Sequence, residues 1–416
     1  MTDFYAASGN SEDIQAAIQE ASPVTGKKIV HIPEGSFPLA AYQTTPFTYT
    51  KCAVLLPWAT EDLWLVGAGI DKTVLIQPSD WGIIFSSHGN WGAWQPRRIR
   101  ISNLTMQSLT PQAAGQAIHM DSVLKWRVDH VKFKNYANFN VIGSTNHNWN
   151  NWACHGVVDH CIFEGDPNYA YGAYGVGALG SGFDGSAAYR WPDLSNLIGK
   201  FGQVDNTQVY VEDCMFSRMR HNITGTLGGW FTARHNTDIL GAVAGAASYD
   251  VHGDGYTRSG RGGELYDNVI LGNANNQNAV VWRGVSLFAT RNTIKDVFNP
   301  QNAYSGAFTL WDEYMADTDI AKRVQFNFIW HNTLINVVNK FGGYNMTWGR
   351  ELEPYTYDHE PTAAQVQGNF SGDQWAEIPY PFPFEQFDIP NEPINGIPKL
   401  TVNSNLNIPF TIRKVT

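Results

Sequence analysis

Charge is scarce in this chain. Lysine, arginine, aspartate and glutamate make up 16% of its 416 residues, against about a quarter in ordinary globular domains. Basic clusters are absent: nothing longer than Arg97-Arg98 occurs, and the formal net charge is −10. That excludes a nucleic-acid backbone as partner, because such binding needs clustered cations. A polyanionic sugar needs only a few local arginines and is not excluded. No run of about 18 apolar residues occurs, so no membrane span is expected. Met1-Thr2-Asp3-Phe4 lacks the basic and apolar regions of a signal peptide. An extracellular or virion-surface location would follow from a leader removed beforehand or from export without one. The four cysteines, Cys52, Cys154, Cys161 and Cys214, show no CxxC spacing. A zinc site or disulfide scaffold is therefore not expected, and the thiols read as small buried apolar groups.

Aromatic residues are abundant, with 15 Trp, 18 Tyr and 22 Phe. Most belong in a core, but exposed rings stack on pyranose faces, while amides and carboxylates take sugar hydroxyls. The length is about three times that of a usual domain, yet nothing in the first 350 residues reads as a linker. A solenoid resolves this, because stacked coils lengthen a chain without widening its core.

A repeat supports the solenoid. The segments IRISNLTM, WRVDHVKF, GVVDHCIF, VYVEDCMF, FTARHNTDI, GELYDNVIL, LFATRNTIK and FIWHNTLI alternate apolar residues, pass a polar turn residue and resume a strand pattern. Aligned on the turn, they share a position held by Asn103, His130, His160, Asp213, Asn236, Asn268, Asn292 and Asn332. Asn tolerates left-handed backbone angles, and its amide can bond the same position one coil away, so a ladder that fixes register is expected.

Phe4 to Asn10, the helical-period run Ile14 to Ile18 and the segment Val30 to Phe37 resemble the N-terminal cap of the pectate-lyase-like superfamily. Leu63 to Ile76 resembles that family's next coil, and VDHVKF and VDHCIFEGD its strand-and-turn segments. The resemblance spans residues 1 to about 345. It implies an all-β, single-stranded right-handed parallel β-helix with a short capping helix. Residues 1–350 are expected to form the solenoid, with the cap in 1–40. Residues 351–416, with Pro379 to Phe384 at their most Pro-rich, are expected to pack on its flank as an extended segment. The superfamily holds lyases, hydrolases, epimerases, phage tailspikes and non-catalytic adhesins, so the fold alone does not assign an activity.

In such folds the ligand lies on the strand before the turn ladder. Here those strands are expected at 116–121, 140–143, 222–225, 248–253, 280–283 and 308–312. Alternation turns Asp250 and His252 outward, with Arg283 and Asp312 on the next two coils and Asp121 toward the N-terminus. The loop Tyr256 to Glu264 brings Arg258, Arg261 and Glu264, and Arg220-His221 should lie one coil before. This inventory suits β-elimination on a uronate polymer: an arginine pairs the carboxylate and acidifies the neighbouring carbon while a base removes its proton. Arg261 or Arg283 is assigned to the carboxylate, His252 to proton transfer and Asp250 to orienting the imidazole. Arg220, His221, Arg258, Glu264, Asp312, Trp149 and Trp152 are expected to contact substrate. Calcium held by outward carboxylates would share the neutralising role, although no calcium motif is visible. The alternatives are a glycoside hydrolase, which needs two carboxylates astride the bond, and a non-catalytic binder or trimeric receptor-binding spike. Otherwise a monomer is expected.

Overall fold

The computed structural model describes residues 1–40, 43–44, 51–57, 62–77, 82–86, 98–109, 116–121, 123, 125–137, 140–146, 155–166, 168, 174–181, 208–226, 229–241, 246–251, 260, 262–273, 278–283, 286–297, 306–310, 326–343, 356–362, 370–371, 374–375 and 380. These residues form a right-handed parallel β-helix. One coil is typical: His221–Thr226, then Trp230–Arg234, then Thr237–Ile239, after which Ala247–Val251 begins the next. Each strand pairs in parallel with its counterpart one coil on, such as Trp230 with Gly262, Thr237 with Val269 and Tyr249 with Val280. Parallel crossovers of this kind are right-handed. The first strand of each coil belongs to an 11-stranded sheet, here called the groove sheet; the other two belong to a 20-stranded sheet.

Apolar side chains fill the inside. Along the groove sheet Ile118, Ile142, Val176, Ile223, Tyr249, Val280 and Phe308 share one inward column and are all buried. Phe133, Phe163 and Phe216 stack coil upon coil at 4.8 and 4.5 Å. Cys52, Cys161 and Cys214 are free and buried as expected; Cys154 lies outside the described residues. The helix Ser11–Ala21 closes the N-terminal end, burying Ile14, Ala17, Ile18 and Ala21 at helical spacing. Its Gln15 amide bonds both the N–H and the carbonyl of Leu55, at 2.8 and 3.0 Å. Backbone groups that would otherwise recruit a further strand are thereby paired.

The turn ladder is present, but the aligned position divides in two. Asn103, His130, His160 and Asp213 take left-handed angles, with φ between +50° and +58°. In the later coils that conformation belongs to His235, Asp267, Arg291 and His331, one residue before the aligned asparagines. Asn236, Asn268, Asn292 and Asn332 stand one place further on. Each Nδ2 of the first three donates to the Oδ1 of the next, at 3.0, 2.9 and 2.9 Å. The same oxygens accept the backbone N–H one coil below, beginning with Cys214 onto Asn236 at 2.9 Å.

Candidate functional site

The six segments expected to carry the site all contribute to the groove sheet, in the strands Ile118–Asp121, Asn140–Asn146, His221–Thr226, Ala247–Val251, Asn278–Trp282 and Gly306–Leu310, with Arg283 directly after the fifth. Tyr174–Ser181 inserts between the second and third. Opposite the core column, register aligns His119, Gly143, Gly177, Thr224, Asp250, Val281 and Thr309 on the outer face.

A second column leans onto the first. Four residues at or just before the start of their strands, Gln116, Asn140, His221 and Asn278, send their side chains to the outer position of the next coil. Gln116 lies over Gly143 and Asn140 over Gly177. His221 Nε2 reaches Asp250 at 3.1 Å, and Asn278 Oδ1 accepts from Thr309 Oγ1 at 2.5 Å. Asn140 Oδ1 accepts from Thr224 Oγ1 at 3.1 Å, and the Gln116 carbonyl oxygen bonds His119 Nδ1.

The charged part of the face centres on Asp250. Both its oxygens bond Arg283 Nη2 at 2.7 Å. His221 engages Asp250 through Nε2 and the Ala247 carbonyl through Nδ1 at 3.3 Å. Both partners are acceptors. His221 stacks obliquely on Tyr174 at 4.9 Å, and the Arg220 guanidinium stands 5.7 Å from the Tyr174 ring centre. Arg283 and His221 thus engage one carboxylate, and Arg220 stands beside them on the Tyr174 ring. Asp250 and His221 are closed to solvent, each 2% exposed, while Arg220 is half-buried and the Arg283 side chain keeps 11% of its surface.

The sequence-expected residues are only partly gathered here. Arg220, His221, Asp250 and Arg283 come together. Glu264 does not: the stretch expected to be loop is already strand at Gly262–Tyr266, in the other sheet, where Glu264 is buried and accepts from Tyr266 Oη at 2.5 Å. His252, Arg258, Arg261, Asp312, Trp149 and Trp152 lie outside the described residues. The leaning amides of Gln116 and Asn140 were not anticipated. Their signal is a glycine fourth in the following strand, as in Asn140-Val141-Ile142-Gly143 and Tyr174-Gly175-Val176-Gly177.

Several charges near the turns pair with one another. On the long strands Arg100 pairs with Asp129 at 2.7 Å, Arg127 with Asp159 at 2.8 Å and Arg234 with Glu212 at 2.6 Å. Burial pushes the Asp129 and Asp159 carboxyls up, but the arginines and the adjoining His130 and His160 outweigh it and hold both below the usual range. Its bond to Asp159 raises His160.

Calcium finds no fit among the described residues. Asp250 is taken by Arg283 and His221, and no three His, Cys, Asp or Glu side chains gather as metal ligands. Nor is any described helix long and apolar enough to cross a membrane.

These features define a parallel β-helix whose smaller sheet carries polar side chains on its outer face. No family model and no curated protein matches the chain. Solved structures do resemble it. The A-module of mannuronan C-5 epimerase AlgE6 from Azotobacter vinelandii is 12% identical, with 86% of this chain and 100% of that one covered and a TM-score of 0.46. An alginate lyase from Paenibacillus sp. FPU-7 is 10% identical, covering 86% and 99%, at 0.39. ORF18 of Geobacillus virus E2 is 11% identical, covering 81% and 60%, at 0.31.

Proposed function

We propose that the outer face of the groove sheet binds an acidic, uronate-containing polysaccharide and cleaves it by β-elimination. The observation that carries this reading is the gathering of Arg283 and His221 on Asp250, with Arg220 beside them on the Tyr174 ring, in a chain of net charge −10. Asp250 holds His221 and Arg283 in place. Arg220 and Arg283 then offer charge-assisted hydrogen bonds to a sugar carboxylate, which lowers the cost of removing the proton on the neighbouring carbon. His221 has both ring nitrogens engaged, so the base falls to His252, with Arg261 as a further partner of the carboxylate. That base takes the C5 proton, the electron pair forms the C4=C5 double bond, the C4–O bond breaks, and the departing oxygen gains a proton. Arg258, Asp312, Trp149 and Trp152 are proposed substrate contacts from the sequence. A hydrolytic pair is not assembled among the described residues, because Asp250 is committed and Glu264 lies in the other sheet.

The test is incubation with uronate and neutral polysaccharides, following ultraviolet absorbance of unsaturated ends alongside reducing ends. Both signals should rise together on an acidic glycan, and His252→Ala should abolish them while the fold is kept. Reducing ends without absorbance would mean hydrolysis. Binding without either signal would leave a receptor-binding role.

A further inference from the structure

The outer face of the groove sheet changes character along its length, and this limits which acidic polymer it accepts. None of the strands Gly82–Ser86, Ile118–Asp121, Asn140–Asn146 or Tyr174–Ser181 contains a lysine or arginine. Among the described residues arginine first borders the sheet at Arg220 and next at Arg283. Over the two coils before Arg220 the outer column carries glycine, at positions 143 and 177. A Cβ at either glycine would stand less than 3.0 Å from the terminal amide of Gln116 or Asn140. These glycines therefore let the two amides lie flat on the strands. Both amide oxygens are taken by the sheet, through His119 and Thr224, which leaves the nitrogens to donate. All three polar neighbours Gln116, His119 and Asn140 are half-buried and hence reachable.

Successive amides sit one coil apart, about 4.8 Å, in line with the Asp250 cluster. Neutral donors suit sugar hydroxyls. A carboxylate docked on them would lose hydration without gaining a counter-charge, so a polymer charged at every residue fits poorly.

Resting on the uronate reading above, we infer that the groove takes a heteropolysaccharide. One acidic sugar sits at Arg220 and Arg283, and the neutral sugars linked to it lie over Gly143 and Gly177, where Gln116 and Asn140 read their hydroxyls. Gln116 and Asn140 are thus specificity-determining residues of a neutral subsite.

Binding of the full chain to immobilised glycans tests this. The probes are polygalacturonate, charged at every residue; gellan and hyaluronan, in which uronates are separated by uncharged sugars; and dextran, which is neutral. One of the heteropolymers should bind at least tenfold more tightly than polygalacturonate, and dextran should not bind. Asn140→Ala should reduce that preference about tenfold, the worth of one well-made hydrogen bond, and leave polygalacturonate binding unchanged. Gly177→Ala should do the same by displacing the Asn140 amide, with melting curves confirming that both variants fold. Equal or tighter binding of polygalacturonate overturns the heteropolymer inference while leaving the uronate reading intact, and so does a preference untouched by Asn140→Ala. Binding to acidic glycans that survives Arg220→Ala combined with Arg283→Ala overturns the uronate reading itself, as does a chain that binds none of the probes.

Discussion

Asp238 lies inside the solenoid, fully buried, and no lysine or arginine is among the groups that act on it. Asn222, Ser248 and Tyr249 approach it, yet neither carboxyl oxygen has a hydrogen bond of sound geometry. Burial therefore pushes its pKa up to about 7. A carboxyl raised in this way binds more protons folded than unfolded between about pH 4 and 7, so its contribution to stability falls as pH rises through that window. Asp238→Asn should raise stability at pH 8 by about 4 kcal/mol and alter it little at pH 4, as read from denaturant midpoints. Asp129 and Asp159 act with the opposite sign. Their folded values are lowered, so their contribution is complete above the ordinary carboxylate range and is lost as pH falls through the lowered values. Arg100→Ala, which strands Asp129 in a buried site, should cost about 3–5 kcal/mol at neutral pH. At this scale the sequence identified Arg220, His221, Asp250 and Arg283 as neighbours, because the repeat sets their coils. Which imidazole Asp250 holds was not legible: side-chain lean decides it, and strand alternation does not report lean. Glu264 was misplaced because two glycines at 262 and 263 look like loop, whereas here they leave room on a strand; a Cβ at Gly263 would collide with the Trp282 indole.

The asparagine ladder shows what a repeat conveys at the scale of an element. The pattern located one turn in each of eight coils, and the six groove strands followed by stepping back from it. It did not separate two adjacent roles, because His, Asp and Asn all tolerate left-handed angles, and an alignment anchored on polarity slides by one between them. The bonds now distinguish the roles. Asn268 Oδ1 accepts from both the backbone N–H and the Nδ2 of Asn236, at 3.1 and 3.0 Å. Asn268→Leu would orphan both donors in a buried turn and should cost about 3 kcal/mol. His235→Asn, at the neighbouring left-handed position, should be close to neutral in the backbone, and comparing the two melting temperatures checks the assignment.

At the scale of the molecule, the outward faces of the long strands are as dry as the core. Tyr210, Tyr266, Phe288 and Phe328 face away from the interior and are all fully buried. Of the C-terminal segment, Thr356–Tyr357 pairs with Asn327 and Phe328, His359 lies 6.1 Å from the Phe328 ring, and Tyr380 donates to both Asp213 oxygens while packing on His235 at 3.9 Å. Deleting residues 351–416 should therefore expose aromatic surface, lower the melting temperature and raise binding of a hydrophobic dye. Unchanged dye binding would mean that other parts of the chain cover this face. The helix cap at the opposite end has a consequence in time. Ser11–Ala21 is made before the coils it covers, and from Leu63–Val66 to Thr356–Tyr357 each described strand pairs with one from the coil before it. The nascent chain thus always meets a finished template and never has to wait for a distant partner, so the solenoid can be laid down in the order of translation, one coil at a time.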